Sequence, residues 1–357
     1  MSSRIHPELQ LTVHDVAFGG KGVARHEGKV VFVPFTIPGE EIKARPVRQK
    51  RKFAEAELLE VLTPSPDRVE PECPYFGRCG GCSYQHISYP KQLEIKARQV
   101  EQTLRRVGRF EDVPMQPMIG APRPYGYRNR IRVHVAGGVA GFYTYDAHSI
   151  LDIEQCPISA PEVNAALAKL RRASMEDGDY SLRASGGGPY FEQTNPDVTR
   201  EMLALVHRLV RRNQALLVDA YCGAGLFAKH LGELFERVIG IEENERAIEK
   251  ARRAAKPDES YVAGSVAMHL SEVLATSDAA RTTVVLDPPA VGIDARVSDL
   301  LLAGRPGEII YVSCDPATLA RDLAALAKTY QLVSVTPLDM FPQTAEIEVV
   351  AQLALRS

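Results

Sequence analysis

The spacing of apolar and polar residues divides the chain into three parts with different predicted secondary structure. In the first part, residues 1–63, short apolar stretches separated by glycine and proline predict four β-strands, at 9–16, 29–35, 41–47 and 54–61. No helical periodicity interrupts these stretches. Several short strands at this spacing are typical of a small β-barrel.

The second part, residues 64–190, combines helical and strand patterns and is expected to form a central α+β domain. It begins with a Pro-rich polar segment at 64–71, which we interpret as a linker. Apolar residues at helical spacing then predict an amphipathic helix within 90–112, which we expect to be able to pack on the third domain. The stretch from about 128 to 190 is rich in strand patterns.

The third part, residues 191–357, alternates apolar strands with helices, which predicts a doubly wound, Rossmann-like sheet. A helix is expected over 197–210, with Asn195 as its N-cap and Pro196 at its first position. The whole chain is therefore an α/β protein with an amino-terminal barrel, a central domain and a carboxyl-terminal parallel-sheet domain.

Composition narrows the class of protein without identifying it. The chain is 45% hydrophobic and 25% charged, with a formal net charge of −2, as in ordinary globular proteins. Its beginning is polar and lacks the apolar core of a signal peptide, and no stretch approaches a membrane span, so we expect a cytoplasmic protein without membrane contact. Six cysteines are too few for a disulfide scaffold at this length.

Basic residues are concentrated in two places, which is the pattern expected of a surface that meets phosphates. The first is a run near Phe53 in the predicted barrel, formed by Lys43, Arg45, Arg48, Lys50, Arg51 and Lys52. In the second, Lys and Arg outnumber Asp and Glu between 91 and 132, and Arg128, Arg130 and Arg132 would share one face of a strand. A solvated surface is the alternative interpretation of both.

Three cysteines lie in one short loop, Cys73, Cys79 and Cys82, and Cys156 could complete a set of four. Glycines 80 and 81 allow the tight turn that such a loop needs. Four thiolates suit either a tetrahedral zinc ion or an iron-sulfur cluster, and the residues alone leave both open.

Another cysteine, Cys314, follows the apolar strand pattern 309–313 and precedes Pro316. A thiol in a loop at the carboxyl end of a strand lies where α/β proteins place reactive groups, so Cys314 is a candidate nucleophile. The alternative is a small buried apolar residue.

A glycine turn and two acidic residues follow other strands of the third part. Gly223 and Gly225 come after one strand, Glu242 ends the next, and Asp287 precedes two prolines. Glycines allow close approach to a ligand, and an acid at Glu242 could bind ribose hydroxyls. Because the third glycine of the dinucleotide fingerprint is absent, the pattern favours a ligand without a pyrophosphate, with S-adenosylmethionine as the leading candidate.

Taken in order, these motifs resemble the RNA (uracil-5-)-methyltransferase family that carries an iron-sulfur cluster and an amino-terminal TRAM domain, an OB-like RNA-binding barrel. The barrel resemblance rests on 19–24, 31–34 and 38–40. The other motifs are Cys73/Cys79/Cys82/Cys156, Phe191-x-Gln193-x-Asn195, Asp219-x-Tyr221-Cys222-Gly223-x-Gly225, Asp287-Pro288-Pro289-x-x-Gly292, Ser313-Cys314-Asp315-Pro316-Ala317-Thr318-Leu319 and Phe341-Pro342-x-Thr344-x-x-x-Glu348.

The resemblance implies methyl transfer from S-adenosylmethionine to C5 of a uridine, with a Rossmann-like catalytic domain. Cys314 would be the nucleophile that adds to C6, and Glu348 the general base. It also implies a [4Fe-4S] cluster on the four cysteines and a structured RNA partner, with ribosomal RNA favoured over transfer RNA, and we expect a monomer. The implied methyl-donor contacts are Gln193, Tyr221, Glu242 and Asp287, with Gly223 and Gly225 shaping the loop.

Three residues depart from the family pattern: Ala290 replaces a common arginine, Glu346 a common histidine and Asp315 a common asparagine. Glu346 leaves two glutamates as candidates for the base. Two other functions remain as alternatives: methylation of an exocyclic base nitrogen at Asp287-Pro288-Pro289, and a non-catalytic iron-sulfur protein that binds RNA.

Overall fold

The computed structural model describes residues 7–173, 176–184 and 192–356. They form two compact units that interleave along the chain. The first, which we call the barrel unit, comprises the described residues within Met1–Gln99, Arg123–Ser185 and Phe341–Glu346. The second, the parallel-sheet unit, comprises those within Val100–Pro122, Gly186–Met340 and Ile347–Ser357. The division into three consecutive domains at 63 and 190 stays a prediction.

The barrel unit begins with a closed barrel in the order β1-β2-β3-β5-β4. Its strands are β1 (Leu9–Val16), β2 (Lys21–His26), β3 (Lys29–Pro34), β4 (Glu41–Gln49) and β5 (Phe53–Thr63). Alternate residues such as Leu11, Val13 and Val31 are buried inside it. The sequence did not predict β2, because its glycine was interpreted as part of a turn. Gly22 instead lies within the strand, where a Cβ would come 1.9 Å from the hydroxyl oxygen of Thr36.

The same unit contains a four-stranded antiparallel sheet in the order β8-β7-β6-β9. Its elements are β6 (Arg130–Ala136), β7 (Val139–Tyr143), β8 (Ile150–Asp152), β9 (Gly178–Arg183) and the helix α2 (Pro161–Arg172). Val163 and Leu167 of α2 pack against the apolar side of β6. The prediction that Arg128 shares this strand was wrong: Arg128 precedes β6 and forms an isolated bridge with Ser159.

Helix α1 (Tyr89–Arg106) is the helix that the sequence predicted within 90–112. It ends six residues earlier than the predicted bound, because the chain continues as a turn through Gly108. Ile95 is buried in the barrel unit. Val100 and Leu104 are buried in the core of the parallel-sheet unit, so the boundary between the two units falls within this helix.

The parallel-sheet unit is built on a seven-stranded sheet in the order β12-β11-β10-β13-β14-β16-β15. Its strands are β10 (Gln214–Ala220), β11 (Phe235–Glu242), β12 (Glu259–Ala263), β13 (Thr282–Leu286), β14 (Glu308–Ser313), β15 (Tyr330–Leu338) and β16 (Glu348–Leu355). Strands β10 to β14 are parallel, and β16 runs antiparallel to its neighbours β14 and β15. Because parallel strands are covered on both faces, β13 and β14 are buried along their whole length.

The helices of this unit are α3 (Pro196–Leu209), α4 (Leu226–Leu231), α5 (Glu245–Arg253), α6 (Val266–Thr276), α7 (Ala295–Gly304) and α8 (Pro316–Leu326). Asn195 caps α3 as the sequence predicted, since its side chain accepts a hydrogen bond from the amide of Val198. The predicted α/β architecture with an amino-terminal barrel is therefore confirmed. In the described part of the chain, no helix has the length and apolar character needed to cross a membrane.

Candidate active site

One edge of the seven-stranded sheet collects most of the predicted site residues. The parallel strands β10, β11, β13 and β14 all end there, and antiparallel β16 begins there. Tyr221, Glu242, Asp287, Cys314 and Glu348 are therefore delivered to the same edge by five different strands. This is the edge at which open α/β sheets place ligands.

The glycine turn after β10 is held to the next strand by hydrogen bonds. Tyr221, Gly223 and Gly225 all have positive φ, at 66°, 54° and 83°, so a left-handed backbone is required and glycine adopts it without strain. The amide of Gly223 donates to one carboxylate oxygen of Glu242 at 3.1 Å. The other oxygen accepts from the amide of Asn244 at 2.8 Å. Each carboxylate oxygen keeps a second lone pair for a ligand.

Asp219, inside β10, is fully buried next to this turn. One carboxylate oxygen accepts a hydrogen bond from the amide of Ala228 at 2.8 Å, and the other has no protein partner among the described residues. Burial raises the pKa of Asp219 to about 7, and the carboxylates of Asp287 and Glu242 add to the shift. Burial and Glu242 likewise raise the pKa of Asp287 to about 7. The edge thus concentrates carboxyl groups that favour a ligand with hydrogen-bond donors or positive charge.

Cys314 and Glu348 are brought together by the pairing of β14 with β16. The antiparallel register pairs Ser313 with Val349 as its last step. One residue further along each strand, Cys314 lies next to Glu348 at the end of the ladder. Glu348 is only 3% exposed, whereas Cys314 keeps partial exposure. A thiol and a carboxylate at adjacent positions can act on one substrate.

Asp322, which the sequence analysis missed, supports the loops around Cys314 and Asp287. Its side chain accepts hydrogen bonds from the hydroxyl of Tyr311 at 2.7 Å and from the amide of Ile293 at 3.1 Å. Tyr311 lies on the strand that leads to Cys314. The sequence pattern does not distinguish Asp322, because a single aspartate is common in a helix such as α8.

The remaining predicted contacts and departures are distributed over both units. Gln193 is buried before α3, in the parallel-sheet unit, whereas Phe191 lies outside the described residues. Asp315 caps α8 by accepting from the amide of Thr318 at 2.7 Å, a role that asparagine would also fill. Glu346 belongs to the barrel unit, not to the unit that carries Cys314.

The four clustered cysteines line one cavity of the barrel unit, of about 410 Å³. Cys73, Cys79, Cys82 and Cys156 all contribute to its wall. The amide of Cys73 donates to the side-chain oxygen of Gln85 at 3.1 Å. Gln85 was not predicted, since nothing in the sequence distinguishes it from other loop residues.

Burial disfavours ionisation of three of these thiols, those of Cys73, Cys79 and Cys82. It raises the pKa values of Cys73 and Cys79 and brings that of Cys82 to about 12, and the neighbouring thiols raise them further. A bound cation in this cavity would favour the thiolate forms of these three residues. Among the described residues, no group of three or more His, Cys, Asp or Glu side chains is arranged to hold a metal ion.

The basic run of the barrel is partly neutralised by carboxylates. The Lys43 ammonium lies 2.7 Å from Glu8, and the Arg45 guanidinium lies 3.0 Å from both Glu8 and Glu57. The exposed members of the predicted phosphate-binding run are Arg48, which lies 3.7 Å from Glu55, and the β4–β5 turn at 50–52.

Comparison with known proteins adds the following findings. A family model described as tRNA (Uracil-5-)-methyltransferase matches residues 266–355, and the TRAM domain model matches residues 7–59. An uncharacterized RNA methyltransferase of Bdellovibrio bacteriovorus is 35% identical, covering 98% of this chain and 96% of that protein. One from Thermosynechococcus vestitus is 30% identical and covers 97% of each chain.

Among solved structures, the chain is similar to a Pyrococcus abyssi tRNA (uracil-54, C5)-methyltransferase in complex with S-adenosyl-L-homocysteine. The TM-score is 0.74 at 25% sequence identity. The alignment covers 97% of this chain and 100% of the Pyrococcus chain.

Proposed function

Because this chain belongs to the RNA methyltransferase family that combines a TRAM domain with a tRNA (uracil-5-)-methyltransferase domain, we propose that it methylates C5 of a uridine in structured RNA. The protein is an S-adenosylmethionine-dependent RNA methyltransferase. The observation that carries the C5 assignment is the position of Cys314 next to Glu348 at the ligand-binding edge of the sheet.

The residues of this edge fit the methyl donor. The glycine turn leaves open space where a Cβ of residue 223 would lie. Glu242 ends the next strand, where it can accept hydrogen bonds from ribose hydroxyls, and the second oxygen of Asp219 is buried without a partner in the described structure. Gln193, Tyr221 and Asp287 are the other proposed contacts.

The proposed chemistry begins with activation of the pyrimidine ring. C5 of uracil is a weak nucleophile, so the Cys314 thiolate adds to C6 and the displaced electron pair makes C5 enolate-like. S-adenosylmethionine supplies an electrophilic methyl group and leaves as S-adenosylhomocysteine. Glu348 then accepts the C5 proton, the C5–C6 double bond re-forms, and the carbon-sulfur bond breaks to free the thiolate.

Glu348 is preferred over Glu346 as the base because it starts β16 beside Cys314, in the same unit. The target uridine must leave its stack to reach the thiol, so a flipped or unpaired nucleotide is expected.

Two variants test the proposed chemistry. Cys314→Ala should abolish methylation while binding S-adenosylmethionine as the wild type does. Glu348→Gln should still add to the ring and accept the methyl group but release product slowly, so that a denaturation-resistant RNA adduct accumulates. Glu346→Gln is the matched control and should turn over without this adduct.

The opposite results would refute this mechanism. Methylation by Cys314→Ala would exclude a covalent route through this thiol. The absence of any covalent adduct between the wild type and RNA containing 5-fluorouridine would favour methylation of an exocyclic nitrogen, which needs no thiol.

We also propose that Cys73, Cys79, Cys82 and Cys156 hold a [4Fe-4S] cluster. The donor set supports this, since four thiols line one cavity and four cysteine thiolates are the usual ligands of a [4Fe-4S] cluster. The cluster would supply the positive charge that stabilises these thiolates, and we assign it no part in methyl transfer. Anaerobically purified protein should contain iron and acid-labile sulfide, and Cys82→Ser should lose both, whereas Cys222→Ser should retain them. Zinc in place of iron would refute the assignment.

The identity of the RNA remains a prediction. We keep ribosomal RNA as the expected target, a monomeric state and a cytoplasmic location. Mapping of 5-methyluridine in total RNA from cells with and without this gene distinguishes ribosomal from transfer RNA directly. A site that disappears only from transfer RNA would contradict the choice of ribosomal RNA.

A further inference from the structure

The four-stranded sheet of the barrel unit has one covered face and one open face. Ile131, Val133 and Val135 of β6 point toward α2 and are buried. The intervening residues of β6, Arg132 and His134, point to the opposite face. Described residues of β7 and β9 that are paired with them continue this open face.

An aromatic pair lies on the open face. The rings of His134 and Tyr143 are 4.3 Å apart, centre to centre, at an interplanar angle of 39°. Tyr143 is 48% exposed, although it is large and apolar. The Nδ1 atom of His134 is hydrogen-bonded to the carboxylate of Asp179 at 2.6 Å, and this bond fixes the orientation of the ring. Tyr143 is therefore the solvent-exposed ring of the pair, and the His134 ring, whose side chain is 17% exposed, packs beside it in a fixed orientation.

Positive charge surrounds this pair. Arg130, Arg132 and Arg183 occupy the same face, because Arg130 pairs with Arg183 and Arg132 with Ser181 across β6 and β9. Arg132 lies 3.9 Å from Asp179 and remains highly exposed. The exposed guanidinium group of Arg132 beside the Tyr143 ring complements a polyanion with exposed ring faces, which describes unpaired RNA.

The cysteine loop holds the strand end that carries Tyr143. The amide of Gly80 donates to the carbonyl oxygen of Tyr143 at 3.0 Å, and the amide of Tyr145 donates to that of Arg78 at 2.7 Å. An isolated antiparallel bridge joins Cys79 to Thr144. The position of the aromatic pair thus depends on the conformation of the loop between Cys73 and Cys82.

We propose that this open face is a stacking site for an unpaired base of the substrate RNA, with the exposed ring of Tyr143, supported by His134, as the platform and Arg132 as a phosphate contact. The proposal rests on the proposed RNA methyltransferase function for the identity of its ligand. It adds a recognition site formed by the barrel unit alone, which contains neither Cys314 nor the glycine turn. A four-stranded sheet with aromatic residues on its open face is a geometry that suits base stacking.

The test measures binding of a labelled oligouridylate by fluorescence anisotropy, with the full-length protein. Tyr143→Ala should weaken binding by about 5- to 100-fold, because stacking on an aromatic ring contributes this much per base. Tyr143→Phe, which keeps the ring, should bind within about twofold of the wild type. Arg132→Ala should weaken binding and reduce the slope of log affinity against log salt by about one.

Two controls distinguish the loss of base stacking from misfolding and from the loss of any surface arginine. Arg172→Ala removes an exposed arginine from α2, on the covered side of the sheet, and should leave the affinity unchanged. Tyr143→Leu keeps apolar bulk without an aromatic face, so it should fold even if Tyr143→Ala does not, and should lose the same affinity. Methylation is measured separately with the wild type, so that a failure of the proposed chemistry is distinct from a failure of this site.

Cross-linking of wild-type protein to an oligouridylate that contains 4-thiouridine gives an independent result. A cross-link within β6 or the end of β7 supports the proposal. Wild-type affinity in both Tyr143→Ala and Tyr143→Leu, or cross-links that map only outside the four-stranded sheet, would overturn it.

Discussion

Replacement of Asp219 by asparagine should change how the stability of this protein depends on pH. Asp219 is fully buried in β10, and burial raises its pKa to about 7 from an ordinary value of 3.8. Asparagine is nearly the same size, and its side-chain oxygen can still accept the hydrogen bond from the amide of Ala228. The substitution therefore removes the ionisation while keeping the packing.

The direction of this pH dependence follows from whether the folded or the unfolded state binds the proton of Asp219. Between pH 3.8 and about 7 the unfolded chain has released this proton and the folded protein still holds it. The contribution of this proton to the free energy of unfolding is therefore complete below the unfolded pKa. It falls by about 1.4 kcal/mol per pH unit as the pH rises from the unfolded to the folded pKa. Between pH 5 and pH 8 the wild type should lose about 2.5 kcal/mol that Asp219→Asn retains.

Urea unfolding at several pH values, followed by circular dichroism, measures this difference. The control is Asp299→Asn, on the exposed surface of α7, which removes the same formal charge without touching a buried carboxyl group. Infrared spectra at pH 6 should also show a weaker protonated-carboxyl band in Asp219→Asn than in the wild type, because burial leaves Asp287 protonated in both proteins. Parallel pH profiles for the wild type and Asp219→Asn would refute the assigned burial effect.

Two further predictions concern residues that hold loops in place, Asp322 in the candidate active site and Gly80 in the cysteine loop. Asp322→Ala leaves the Tyr311 hydroxyl and the Ile293 amide without their acceptor. It should lower the free energy of unfolding in urea by about 3 kcal/mol, and Asp322→Asn should lower it less. An unchanged unfolding midpoint in the alanine variant would contradict this prediction. Gly80→Ala places a Cβ 3.2 Å from two carbonyl oxygens at the end of β7 and should reduce both iron content and oligouridylate affinity. Gly81→Ala, whose Cβ meets only a sulfur at 3.6 Å, is its control, and equal iron content in both variants would contradict the prediction.

The sequence determined the class of fold and supplied the residues for the proposed chemistry. Uninterrupted apolar runs followed by glycine or proline located β10, β13 and β14, and these strands end in the residues that the motifs singled out. The family resemblance is confirmed for the TRAM barrel and the uracil-5 methyltransferase part. These features are local: period, turn residues and motif spacing are properties of neighbouring residues, so the chain displays them without its fold.

Only the tertiary structure decided which of these residues meet. That Glu348 adjoins Cys314, whereas Glu346 belongs to the other unit, depends on the antiparallel register of β14 and β16, residues far apart in sequence. The aromatic pair of His134 and Tyr143 likewise arises from cross-strand pairing and carries no motif. The raised pKa of Asp219 depends on how much protein surrounds it, because desolvation is set by packing in three dimensions rather than by neighbours along the chain.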